Sequence, residues 1–465
     1  MFRSCWARAC WAICLSLLAS CGKDKAESHK IARNTGTAAV VVVGSTEASE
    51  SSLAKEQEPN NIGDEIRQEI AVSSSEKKSN GYQGTLDGYL DVDVFGLRAA
   101  EEGMLFVKLE GAADADLRLE LQGPEGKTLA YSDRGPAKTS EGIGGFWVDV
   151  GDYRVVVSEF TKRKAKKNKA GRQGESAVYT LTAQIKEVAE DYEVEPNKSL
   201  EGAMEIPTDA ERFGYLGWKN DADLWRLPVI AQEGEDGALA IELSGLPSVR
   251  TKLAILDAQG KELLEVRSSK GNETAIRNFV PNEGAEFYLV RIHAKRSNPE
   301  TPYALRIRSE VRPPGREAEP NNDLQTATPL PESGGSLVLG SGELSQGDLD
   351  FFEVPSATEN RILEVRLEGR SGMDFTLAVI AESGAVLATS ADAPVGIVEV
   401  VKQVNIPPGV KARIRIAAKS VNLPTEYSFS VSLVAGQANT PHPSQVAPMP
   451  VSTPTPLPTP ETSLE

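Results

Sequence analysis

The chain has 465 residues, of which 67 are acidic and 50 basic, for a formal net charge of -17. That length allows two to four domains. The negative balance argues against nucleic acid as a main partner and suits a protein that collects divalent cations. Its four cysteines, Cys5, Cys10, Cys14 and Cys21, all fall at the N-terminus. Once a leader is removed before Cys21, the remaining chain holds no internal disulfide, thiolate metal site or cysteine nucleophile.

In chain order, Arg3 and Arg8 precede an apolar run through Trp11, Ile13, Leu15, Leu17 and Leu18. The run is too short to span a bilayer and reads as the apolar part of a signal peptide, residues 1–20. It ends in Leu18-Ala19-Ser20-Cys21, which resembles the lipobox of bacterial lipoproteins. The resemblance implies cleavage before Cys21, lipidation of its thiol and membrane anchoring in the bacterial cell envelope. Two or three acyl chains suffice for stable anchoring. Gly22 and Lys23 follow, and the lack of an aspartate there favours the outer over the inner membrane by the same resemblance. Residues 21–55 are rich in Ser, Ala, Lys and Glu and read as a tether reaching roughly 30 Å. Ala38 to Val43 is a short apolar run within it.

The middle of the chain then repeats itself three times. Each copy opens on an acidic Glu-Pro-Asn element: Glu56-Gln57-Glu58-Pro59-Asn60-Asn61, Glu193-Val194-Glu195-Pro196-Asn197-Lys198 and Glu317-Ala318-Glu319-Pro320-Asn321-Asn322. An Asp-x-Asp-x-aromatic step follows in each, at Asp91/Asp93/Phe95, Asp221/Asp223/Trp225 and Asp348/Asp350/Phe352. The copies are spaced by a domain length rather than a solenoid repeat. Apolar residues alternate in Leu105 to Leu109, Leu117 to Leu121, Leu239 to Leu243 and Ile414 to Ile416. Late in each copy comes a tyrosine-led run, at Tyr179, Tyr303 or Tyr427. This period of two predicts half-buried antiparallel strands. Turn residues separate them at Pro124-Glu125-Gly126, Asp257 to Gly260 and Glu382-Ser383-Gly384. The fold class expected is all-β: three tandem β-sandwich modules, jelly-roll or Ig-like, at 56–187, 193–309 and 316–434.

These elements together resemble the bacterial pre-peptidase C-terminal domain, related to the collagen-binding domains of clostridial collagenases. That resemblance implies a β-sandwich and calcium bound through the acidic N-terminal element. It makes Glu56, Glu58, Asn60, Asn61, Asp91 and Asp93 the candidate ligands of the first copy. The second offers Glu193, Glu195, Asn197, Asp221 and Asp223, and the third Glu317, Glu319, Asn321, Asn322, Asp348 and Asp350. Elementary physics leads the same way. Residues i and i+2 of a strand share a side, so each aspartate pair shares a side with an aromatic meant for the core. An unpaired carboxylate there is costly, unless it sits at the rim or a hard cation neutralises it. Lys198 replaces the second asparagine in copy two, which is therefore expected to bind most weakly, or not at all.

Between Val157 and Tyr179 runs Lys162-Arg163-Lys164-Ala165-Lys166-Lys167-Asn168-Lys169, read as a long hairpin loop. Lys162, Arg163, Lys164, Lys166, Lys167 and Lys169 are candidate polyanion contacts, set against a plain solvated loop. Only one of three histidines, His293, lies in a copy, and no HExxH, GxSxG or phosphate-loop motif is present. The expectation is therefore a non-catalytic protein. Residues 435–465 carry eight of the 28 prolines and read as an extended Pro/Thr-rich tail. Two functions fit: a surface-displayed lipoprotein that binds protein or polysaccharide, or an accessory factor of a secreted peptidase.

Overall fold

The computed structural model describes residues 52–61, 66–74, 80–88, 90–111, 115–160, 176–229, 237–332, 337–345, 347–391, 393–419, 421 and 424–436. Cys21, the residues preceding Ser52, the lysine-rich segment 162–169 and the tail beyond 436 lie outside these residues.

All regular structure among the described residues is β. The first copy forms β1 (Ser52–Lys55), β2 (Glu69–Val72), β3 (Asn80–Leu86), β4 (Val92–Ala99), β5 (Gly103–Glu110), β6 (Leu117–Gln122), β7 (Thr128–Ser132), β8 (Glu141–Val148), β9 (Gly151–Glu159) and β10 (Ala177–Lys186). The second forms β11 (Met204–Glu205), β12 (Glu211–Gly214), β13 (Ala222–Pro228), β14 (Gly237–Leu243), β15 (Thr251–Leu256), β16 (Glu262–Arg267), β17 (Thr274–Phe279), β18 (Phe287–Ala294) and β19 (Tyr303–Val311). The third forms β20 (Thr328–Pro329), β21 (Leu337–Leu344), β22 (Leu349–Val354), β23 (Arg361–Leu367), β24 (Phe375–Ala381), β25 (Val386–Ser390), β26 (Glu399–Ile406), β27 (Ala412–Ala418) and β28 (Thr425–Ala435).

Each copy folds into two sheets with the same order. In the first, β3-β10-β5-β8 faces β4-β9-β6-β7. The second repeats it as β12-β19-β14-β17 and β13-β18-β15-β16, the third as β21-β28-β23-β26 and β22-β27-β24-β25. Most consecutive strands change sheet, which is the eight-stranded jelly roll rather than the Ig arrangement. A short parallel strand, β2, β11 or β20, edges the second sheet in every copy.

The alternation read in the sequence is what drives this packing. β6 buries every second residue, as does β10. The aromatics of the aspartate steps, Phe95, Trp225 and Phe352, are fully buried. Each contributes to its own core, alongside Leu105 and Val157, Ile241 and Val290, or Val365 and Ile414. Burying one such aliphatic side chain stabilises by about 1.5–3 kcal/mol. The three turns carry glycines at positive φ, Gly126, Gly260 and Gly384, where a side chain would be strained.

Two expectations are corrected. Residues 52–55, read as the end of the tether, form β1 and pair in parallel with β3. β9 and β10 belong to opposite sheets, so the two strands that flank the basic segment do not form a hairpin. A β-hairpin requires two neighbouring strands of one sheet, and the alternation of Val155 to Val157 and Tyr179 to Leu181 carries no information about which sheet each joins.

Candidate metal centres

The Glu-Pro-Asn element lies against the start of β4, β13 or β22. The backbone carbonyls of Asn60, Asn197 and Asn321 accept hydrogen bonds from the N–H groups of Val94, Leu224 and Phe351 at 2.9, 3.1 and 3.1 Å. The second glutamate of each element folds back on the same asparagine. Glu58, Glu195 and Glu319 accept from the N–H of Asn60, Asn197 and Asn321 at 3.1, 2.9 and 3.0 Å. All three Glu-Pro bonds are cis.

The first glutamate reaches the other sheet. Glu56 accepts from the N–H of Thr85, Glu193 from that of Tyr215, and Glu317 from that of Glu343, the last at 2.9 Å. Each donor follows a glycine, Gly84, Gly214 or Gly342, which pairs directly with the late tyrosine of its copy. A Cβ on any of these glycines would collide with the tyrosine ring or hydroxyl and with the first glutamate. The glycine is therefore what lets the tyrosine hydroxyl and the carboxylate meet. Tyr179 donates to Asp93 at 2.5 Å and lies 3.0 Å from Glu56. Tyr427 donates to Asp350 at 2.5 Å. Tyr303 donates to Glu193 at 3.1 Å and accepts from the Trp225 indole at 3.0 Å.

Three carboxylates thus converge in each copy: Glu56, Glu58 and Asp93; Glu193, Glu195 and Asp223; Glu317, Glu319 and Asp350. Within each group the oxygens lie within 4.8 Å of one another. Two oxygens bound to one calcium ion at about 2.4 Å can be no farther apart than about that span. The first aspartates stay outside these groups and cap the preceding turns. Asp91 accepts from the Asp87 N–H at 2.6 Å, Asp221 from Gly217 at 2.7 Å and Asp348 from Ser345 at 3.1 Å. Asn322 does likewise, accepting from the Leu349 N–H at 3.2 Å, while Lys198 is exposed and Asn61 half-buried. His293 stands 3.7 Å from Glu265 and joins none of the groups.

Burial and mutual proximity set the electrostatics of these groups. Burial pushes Asp93, Glu193 and Glu317 up to about 8 and Glu195 to about 7. Burial and the neighbouring carboxylates raise Asp223, Glu319 and Asp350 well above the ordinary carboxylate range. None of the ion pairs among the described residues engages the carboxylates of the second and third groups. Several buried oxygens there also meet no donor: both of Asp223, Glu195 Oε1, Asn197 Oδ1, Asn321 Oδ1 and Asp350 Oδ1. Such orphaned atoms are costly. A hard divalent cation answers both problems, and an all-oxygen donor set suits calcium. The first group is the most open, with Glu58 exposed and Glu56 half-buried.

No protein-family model matches the chain, and no curated protein does. Among solved structures it is similar to the pre-peptidase C-terminal domain of a collagenase from Bacillus anthracis. That likeness has 16% identity and a TM-score of 0.20, over 27% of this chain and 99% of that one. It is also similar to the BSP domain of a biofilm associated protein, with 10% identity and a TM-score of 0.14, over 77% of this chain and 67% of that one. A putative secreted protein from Eubacterium rectale is similar at 13% identity and a TM-score of 0.13, over 51% and 81%. Likenesses this slight carry no weight for function, which rests on the sites themselves.

The tyrosines and glycines were not singled out as site residues from the sequence. Their signal was there: a Gly-x-Leu run, Gly84-Thr85-Leu86, Gly214-Tyr215-Leu216 and Gly342-Glu343-Leu344, recurs between the two acidic motifs of every copy.

Proposed function

We propose that the chain is a lipid-anchored protein of the bacterial cell envelope, held through Cys21. Its jelly-roll modules serve as non-catalytic binding or adhesion surfaces for protein or polysaccharide, and calcium stabilises them. The observation that carries the reading is the threefold recurrence of one centre: two glutamates, one aspartate and one tyrosine at the rim of a sandwich. A centre that serves only to stabilise needs no open pocket, and repetition of a module presents one surface several times. In this reading Glu56, Glu58 and Asp93, and their counterparts in the other copies, hold the ion. The ion supplies positive charge and the missing partners of buried oxygens. Tyr179 and Tyr427 orient Asp93 and Asp350, Tyr303 orients Glu193, and the glycines keep space for all three.

The leader is the support for anchoring. Labelled palmitate fed to a bacterium expressing the chain should enter the parent and not Cys21→Ser, and the parent should sediment with membranes. Label in Cys21→Ser equal to the parent would refute lipidation there. For the binding role, the purified chain should be retained by an extracellular matrix polymer in calcium and released by chelator. Recovery of a peptidase instead of a polymer would favour the accessory-factor function.

A further inference from the structure

The second and third acidic centres are not confined to their own sandwiches. In the third, Asn278, on β17 of the second sandwich, donates its side-chain amide to Glu317 at 2.9 Å. Its backbone carbonyl accepts from the Glu319 N–H at 2.8 Å, and the Val280 N–H donates to the Glu319 carbonyl at 2.8 Å. Asn278 is buried and has a φ of 55°, a left-handed conformation that asparagine tolerates. A cleft of about 330 Å³ opens there between the two sandwiches, lined by Leu264 and Arg277 on one side and Glu317, Glu319 and Asp348 on the other.

The second centre is built into the other joint. Tyr215 holds Glu193 through its N–H, and Gly217 holds Asp221. The same loop docks on the first sandwich. Tyr215 packs edge-on against Phe106 at 5.2 Å and Trp218 against Phe146 at 5.3 Å. The Gly144 N–H donates to the Gly217 carbonyl at 3.3 Å, the Lys219 N–H donates to the Tyr131 carbonyl at 3.0 Å, and the Lys219 side chain pairs with Asp133 at 3.0 Å. Among the described residues the first centre has no such arrangement: its Glu56 is tied to Gln83, Thr85 and Tyr179 of its own sandwich.

We propose that the second and third centres are couplers. A divalent cation held there orders the segments that are also the joints between modules, so the cation fixes how one sandwich is set against the next. Asn278 and the 215–219 loop are positioning residues for this, not ligands. The inference rests on the cation reading above and deepens it. Because coupling is reciprocal, loosening a joint must weaken the cation site it carries.

The test uses the full chain, with calcium as the probe. Calorimetric titration gives stoichiometry and affinity. Hydrogen exchange with calcium or chelator reports on the N–H groups of Glu319, Val280, Gly144 and Lys219. The expected result is that calcium slows exchange at these joint amides at least about tenfold. Asn278→Ala should weaken the third site about tenfold, and Phe146→Ala the second, with the first unchanged in both. Should a variant fail to fold, the exchange measurement on the parent decides alone. Full calcium uptake with joint amides unaffected would overturn the coupling and leave the cation reading standing. No calcium uptake at all would overturn both.

Discussion

Gly342 and Tyr427 show how much of each centre depends on single atoms. The tyrosine hydroxyl reaches Asp350 because the residue opposite it has no Cβ. Gly342→Ala is expected to destabilise the third sandwich by about 1–3 kcal/mol through overpacking, and to weaken calcium binding there. Tyr427→Phe, which removes one hydrogen bond to a buried carboxylate, should cost about 1–2 kcal/mol. Denaturant unfolding of both variants checks these values, and unchanged midpoints would show that the contacts are idle. A different buried acid gives a pH signature. Glu141 accepts from Ser132 at 2.5 Å and from the Arg134 N–H at 2.8 Å, yet burial raises its pKa above 4.5. A carboxyl raised in the folded state contributes stability that is fully present below about pH 4.5 and is lost as pH rises through the folded value. The parent should therefore lose stability relative to Glu141→Gln between pH 4.5 and neutrality. The cation centres titrate equally in both proteins and cancel in the difference. A melting-temperature difference flat across that range would contradict this assignment.

At the level of strands, the same irregularities recur. β5, β14 and β23 each carry a register shift against β8, β17 and β26, between Leu105 and Val107, Leu239 and Ile241, and Leu363 and Val365. Glu141 and Glu399 pair with Leu109 and Leu367 beyond those shifts, and each meets a serine, Ser132 or Ser390. The second copy places Thr274 at that position, and its serine, Ser268, bonds Thr251 instead. The strands themselves were legible in the sequence because a half-buried sheet leaves a period-two trace, and the glycine turns marked their ends. Sheet membership was not legible, since alternation reads the same in either sheet, and the segment after β9 was misplaced for that reason. The acidic motifs were legible as motifs. The division between capping aspartates, Asp91, Asp221 and Asp348, and cluster aspartates, Asp93, Asp223 and Asp350, was not, because both share one side of the strand. The joints left still less trace. Gly217 lies so close to the Gly144 carbonyl that a Cβ has no room. Gly217→Ala should therefore disrupt the first joint while leaving the third sandwich intact. Exchange protection lost at Lys219 and retained in β28 would bear this out, and protection unchanged at both would refute it.

Across the whole chain, three copies of one jelly roll place three carboxylate groups in a protein of net charge -17. The excess negative charge favours cation uptake at long range and falls off with salt, whereas charges in the buried groups are screened far less. Calcium removal should lower the melting temperature, most for the third copy, whose group is buried and has Asn322 where the second has Lys198. Titration of the purified chain with calcium, followed by heat, tests the central claim most directly. Three sites per chain are expected, with Asp93→Asn, Asp223→Asn and Asp350→Asn each removing one. No heat of binding, or a stoichiometry untouched when all three aspartates are replaced, would contradict it.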